Sequence, residues 1–109
     1  MPRSLCLTRD CLGLVTRIEC TLRPLNGDKG LWTLLFAAGM AGEQPTAIKA
    51  QGPFQGVQAA QAVLDAIVDS LTLHGYSVET QAPQIWSLHL QAQWRTLCGG
   101  HTPSLSMQS

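Results

Sequence analysis

The sequence predicts an α+β domain: two layers, with an antiparallel β-meander covered on one face by a single main helix. Three observations carry this expectation. Residues 14–23 and 31–40 alternate with period two, as half-buried strands do. Val57, Ala60, Leu64, Ile67 and Leu71 recur at spacings of three and four, which lines one face of a helix; Val63 and Val68 widen it. The segments between the strands carry turn residues and no room for a crossover helix, so neighbouring strands run antiparallel.

Residues 1–10 read as a loose lead-in. In the first strand Leu14, Thr16, Ile18, Cys20 and Leu22 share one face, and Val15, Arg17, Glu19, Thr21 and Arg23 the other. Pro24 to Gly30 contains Asn26-Gly27, a hairpin signal because both residues accept positive φ. The second strand, Leu31 to Met40, is apolar on both sides: Trp32, Leu34 and Phe36 on one, Leu31, Leu35 and Ala37 on the other. Gly39 to Pro45 is a turn. Thr46 to Gln51 is a short third strand with Ile48 inward and Lys49 outward, and Gly52-Pro53 leads into the helix, where a Pro near the first turn is tolerated.

The helix spans residues 54–76. His74-Gly75-Tyr76 ends it, with Gly75 free to take positive φ at C′ and Tyr76 placed to pack back on the last turn. Ser77 to Gln81 is a further short strand, ended by Pro83. Residues 85–97 fit two periods. Trp86, Leu90 and Trp94 alternate with polar residues as a strand would, and with Leu97 they also fall at helical spacings of four, four and three; strand and helix both stand. The order is thus β-β-β-α-β followed by β or α. Residues 1–109 form a single domain with 1–10 and 99–109 as flexible ends.

Composition narrows the function classes. Of the 109 residues, 45% are hydrophobic and 13% charged, about half the usual ~25%, and the net charge is zero. The body of such a chain folds. It lacks the excess of basic residues that nonspecific nucleic-acid binding requires, and little charge repulsion opposes association. No apolar run reaches the ~18 residues of a membrane span. Arg9 and Asp10 interrupt any signal-peptide core, so a cytoplasmic protein is expected. The preference for Arg over Lys, with abundant Ala, Leu, Gly and Gln, suggests a GC-rich bacterial genome.

Chemical motifs are sparse. Cys6-x4-Cys11 with Cys98-x2-His101 could supply three thiolates and an imidazole to a structural zinc, against the plainer reading of four unrelated thiols with Cys20 as a small core residue. A cysteine nucleophile would need a His close to a semi-exposed Cys. His74 instead closes the helix, where the dipole explains it, His89 is on the polar face of the last element and His101 is in the tail. Asp65 and Asp69, at i and i+4 on the helix exterior, could meet a basic partner. Gly39, Gly42, Gly52 and Gly56 follow no phosphate-loop spacing. Arg17 and Arg23, extended by His89 and Arg95 if the last element is a strand, would form a polar sheet face. The exposed aromatics that single-stranded RNA would stack on are missing from it. No cofactor and no catalytic residue is expected.

The second sheet face carries the functional expectation. One helix covers one face, leaving Val15, Leu31, Leu35 and Ala37 to be covered by the termini (Leu5, Leu7, Leu12, Leu105), by a second copy, or by another protein. The expectation is a small, non-enzymatic protein-interaction module, a homodimer through that apolar face. The alternatives are a small-molecule-binding domain or enzyme with a pocket lined by Trp32, Trp86 or Trp94, and a zinc module using Cys6, Cys11, Cys98 and His101.

Overall fold

The computed structural model describes residues 4–25, 30–79 and 85–98. The expected α+β fold is observed: a five-stranded antiparallel sheet with a long helix packed on it. The strands are β1 (Ser4–Cys11), β2 (Leu14–Pro24), β3 (Leu31–Met40), β4 (Ala47–Gln55) and β5 (Ser77–Val78), in the order β4-β3-β2-β1-β5. The helices are α1 (Val57–Leu73) and α2 (Ser87–Cys98).

Four differences from the sequence expectation have physical reasons. The lead-in contains β1: Leu5 and Leu7 enter the core beneath α1, and Cys6 is buried on the opposite face. The first hairpin is therefore β1–β2, turned by Leu12 and Gly13, both at positive φ (55° and 85°) as its two-residue turn requires. β4 runs on through Gly52 and Pro53 to Gln55, across an irregularity opposite Trp32–Leu34. Pro53 thus lies in an outer strand, at a bulge, where its missing N–H costs no ladder bond. β5 is only two residues long within the described chain, and of the two readings left open for residues 85–97 the helix is observed, as α2.

Alternation assigns the two sheet faces. Leu7, Cys20, Leu22 and Leu34 lie under Ala60 and Leu64 of α1, and Trp32, Phe36, Phe54, Ile67 and Leu71 pack around them. Leu35 and Ala37 point the other way, against Trp86 and Leu90 of α2, with Ile48, Ala50 and Trp94 at the margin. The end of α1 follows the expected pattern. The Tyr76 N–H donates to the Leu71 carbonyl (3.0 Å) and the Gly75 N–H to the Thr72 carbonyl (3.1 Å), with Gly75 at φ 94°. The Arg9 guanidinium donates to the His74 carbonyl (3.2 Å) and lies over the Tyr76 ring (5.0 Å), tying the end of α1 to the β1–β2 hairpin.

Leu64, fully buried at the centre of the α1 face, is the residue on which this layer closes. Leu64→Ala is expected to cost about 2–5 kcal/mol by leaving a cavity. Urea unfolding followed by circular dichroism checks this, and a loss below about 1 kcal/mol would show that the layer is not packed as described.

Candidate functional site

The second sheet face is built differently from the first. β2 presents Arg17, Glu19 and Thr21 to it, all buried, and β3 adds buried Thr33 beside Leu35 and Ala37. Glu19 is wholly inaccessible. One carboxylate oxygen, Oε2, accepts Arg17 Nε (2.7 Å) and the Ile85 N–H (2.9 Å); the other, Oε1, accepts the Trp86 N–H (3.0 Å).

Trp86 precedes α2, and its carbonyl accepts the Leu90 N–H (3.1 Å), so Trp86 is the N-cap residue. In a capping box the third helical residue is a Glu or Gln that reaches back to the N-cap N–H. That position here is His89, and the sheet supplies the carboxylate instead. Glu19 also brings a negative charge to the positive end of the helix. Two indoles complete the docking of α2: Trp86 Nε1 donates to the Glu43 carbonyl and Trp94 Nε1 to the Pro24 carbonyl (both 2.9 Å).

This arrangement corrects the expected interface. Leu35 and Ala37 are not a surface awaiting a partner: α2 of the same chain buries both completely. Val15 and Leu31, each near the start of its strand and so at opposite ends of the sheet, are half-buried. Over Leu35 and Ala37 the cover is α2. Leu5 and Leu7 serve the α1 face, and Leu12 serves neither; Leu105 lies outside the described residues.

The expected polar sheet face is also corrected, because it needed residues 85–97 to be a strand. Arg17 is buried against Glu19, and Arg23 lies over the Trp94 ring (5.2 Å). His89 pairs with Gln44 Oε1 through Nε2 (2.8 Å), while Arg95 is exposed in the last turn of α2. Trp32 packs beneath α1, and Trp86 and Trp94 lie at the α2 face, where Trp86 lines a cleft of about 410 Å³ with Glu43, Gln44, Ile85 and His89.

The proposed zinc ligands are separated as well. Cys6 is buried on the α2 face of β1, Cys11 is exposed at the strand's end, five residues on and on the other face, and Cys98 closes α2. Five residues of strand span about 16 Å, far beyond a shared ion. Among the described residues no group of three His, Cys, Asp or Glu is placed to hold a metal; His101 is outside them. On α1, Asp65 and Asp69 are exposed, and Asp65 accepts from Gln61 Nε2 (3.0 Å).

Exposed apolar side chains lie elsewhere; on and beside α2 they are Leu88, Ile85 and Leu97. At the β1–β2 hairpin Leu12 is 99% and Leu14 62% exposed, and Leu73, at the end of α1 held to the same hairpin, is 86% exposed. Beside them is a cleft of about 400 Å³ lined by Thr16, Ile18, Ala38, Met40 and Tyr76. It exists because α1 starts from β4 at one end of the sheet and finishes over β1 at the other. The diagonal leaves one corner of β2 and β3 uncovered. The Thr16 hydroxyl donates to the Tyr76 hydroxyl (3.2 Å) at its wall. The sequence expectation puts Leu12 among the terminal residues that cover the sheet face. The available signal for a hairpin here is the apolar run Leu5-Cys6-Leu7 followed by Gly13.

Fold and site define a small α+β domain whose sheet is flanked by a long helix and a shorter, carboxylate-anchored one. The chain belongs to the PA4575-like protein family, whose model matches residues 1–108. No curated protein and no solved structure shows a significant match. Among the described residues no helix is long and apolar enough to cross a membrane.

The thiols offer a direct test of this geometry. Burial pushes Cys20 up to about 12, with Cys6 and Glu19 adding to it; burial also raises Cys6, against the opposing pull of Arg17. Both therefore stay protonated and unreactive at pH 8. Ellman's reagent is expected to label exposed Cys11 rapidly, and Cys6 and Cys20 only as the chain unfolds. Labelling of Cys20 as fast as Cys11 would contradict the described core.

Proposed function

We propose that this chain is a non-enzymatic protein-interaction module that works as a homodimer in the bacterial cytoplasm, through the apolar end formed by the β1–β2 hairpin, the end of α1 and the corner cleft. The observation that carries this reading is the exposure of Leu12, Leu14 and Leu73 beside a cleft at one end of the domain. Ile85, Leu88 and Leu97 are also exposed, but among the described residues no cleft of both comparable volume and comparable apolar lining lies beside them. Contiguous exposed apolar surface marks interaction sites. The zero net charge offers no long-range repulsion between copies. Cys6, Cys11 and Cys20 are free thiols, as suits a reducing compartment.

The apolar surface expected from the sequence is thereby moved. The sheet face first nominated is internal, and the hairpin end takes its place as the dimer contact. The most buried carboxylate and two of the indoles are engaged in holding the fold: Glu19 caps α2, and the Trp86 and Trp94 indoles reach backbone carbonyls. That disposition supports binding through shape and apolar contact.

Size-exclusion chromatography with light scattering over a hundredfold range of concentration is expected to give twice the chain mass at the upper end. Leu14→Arg removes one exposed leucine per copy and sets like charges together. Each buried leucine contributes about 1.5–3 kcal/mol, so this variant should weaken the dimer by about 100-fold or more without changing its circular dichroism. A chain monomeric at every concentration would overturn the reading.

A further inference from the structure

We infer that the dimer contact is a reciprocal knob in a hole: Leu12 of each copy seats in the corner cleft of the other. This rests on the homodimer reading above and specifies its contact.

Leu12 is anomalous on two counts. Its φ of 55° lies in the left-handed region, where a branched side chain meets steric resistance that Asn or Gly escapes, and its side chain is 99% exposed. The hairpin itself does not ask for a leucine. Gly13 supplies the second positive φ, and Asp10 Oδ1 accepts the Gly13 N–H (3.0 Å) whatever residue lies between. A side chain that suits neither the turn nor water, carried on a paired two-stranded ribbon, has the properties of an anchor.

The hole has the matching chemistry. Ile18, Ala38 and Met40 give it an apolar floor, and Thr16 and Tyr76 wall it with hydroxyls already bonded to each other. Arg17, which is turned to Glu19 on the other face of the sheet, and Thr46 at the rim also line it, and at about 400 Å³ the cleft admits a leucine side chain. Its own Leu12 cannot fill it, since the tip stands four residues beyond Thr16 on β2, about 13 Å along the strand. Leu14, between the two, shares the cleft's face of the sheet.

Knob and hole occupy the same end of one chain. A single two-fold axis therefore brings both Leu12 side chains to both clefts together, and the contact closes on itself without leaving a free knob to propagate. Arg9 and Asp10 flank the tip with opposite charges, so a second copy meets no single-sign field there. The surface involved is on the order of fifteen residues a side, at the small end of specific interfaces, so the dimer should dissociate on dilution.

Complementation tests the inference. Leu12→Asn suits the left-handed turn position and should leave the fold intact while making the chain monomeric where the native chain is dimeric. Ala38→Phe fills the cleft and should do the same. If it fails to fold by circular dichroism, Thr46→Trp closes the cleft from its exposed rim. Mixed in equal amounts, the two variants retain one intact knob and one open cleft, and light scattering should show a heterodimer at least tenfold tighter than either homodimer. Should Leu12→Asn remain dimeric, or the mixture stay monomeric, the knob-in-cleft contact is overturned while a native dimer leaves the homodimer reading standing. A native chain monomeric throughout overturns both.

Discussion

The fold depends on one buried carboxylate. Glu19, at the centre of the sheet, accepts Arg17 and the two N–H groups that open α2. An ionised carboxylate out of water costs several kcal/mol unless its lone pairs are filled, and here three donors fill them. The dependence runs both ways. α2 has no acidic residue in its first turn and only Leu90 fully buried along its length, so little within the helix would hold it to the sheet. Without Glu19, Arg17 would keep its charge beneath the helix and the N-cap N–H would lose its partner. The apolar residues Leu35 and Ala37 stay covered because a polar contact at the helix start sets where the helix lies.

This gives the two sheet faces different physics. The α1 face is a hydrocarbon layer, closed by a helix whose periodic stripe matches the strands beneath it. The α2 face combines a small apolar cluster with a satisfied polar seam of Arg17, Glu19, Thr21 and Thr33. Such a seam adds specificity of placement more than bulk stability, since a capped carboxylate accepts one geometry and an oily face accepts several. With both faces occupied, the proposed contact lies at the end of the sheet that the diagonal path of α1 leaves open.

How much of this was legible in the sequence depended on whether the cause was local. α1, β2 and β3 were legible because their periodicities are long and each had a greasy side to bury. The stop at Gly75-Tyr76 was legible because the backbone bonds that end a helix involve neighbours. β1 was hidden because Leu5, Cys6 and Leu7 are consecutive apolar residues on both faces and so show little alternation. Residues 85–97 carried both periods at once, and the arbiter was a carboxylate 66 residues away from Ile85, which no local pattern reveals. The misplaced interface followed from the same gap: the apolar second side of β3 was read correctly, and its cover was sought outside the chain. Leu12 was assigned to the cover of the sheet face because its place at a hairpin tip depends on β1 being a strand.

The claim that Glu19 holds α2 to the sheet is tested most directly by hydrogen exchange on Glu19→Gln, which preserves shape and removes charge. The account predicts loss of protection confined to α2 and the middle of β3, around Leu35 and Ala37, with α1 and the β1–β2 ladder unchanged. Protection in α2 equal to that of the native chain, or a loss spread evenly over both faces, would contradict it.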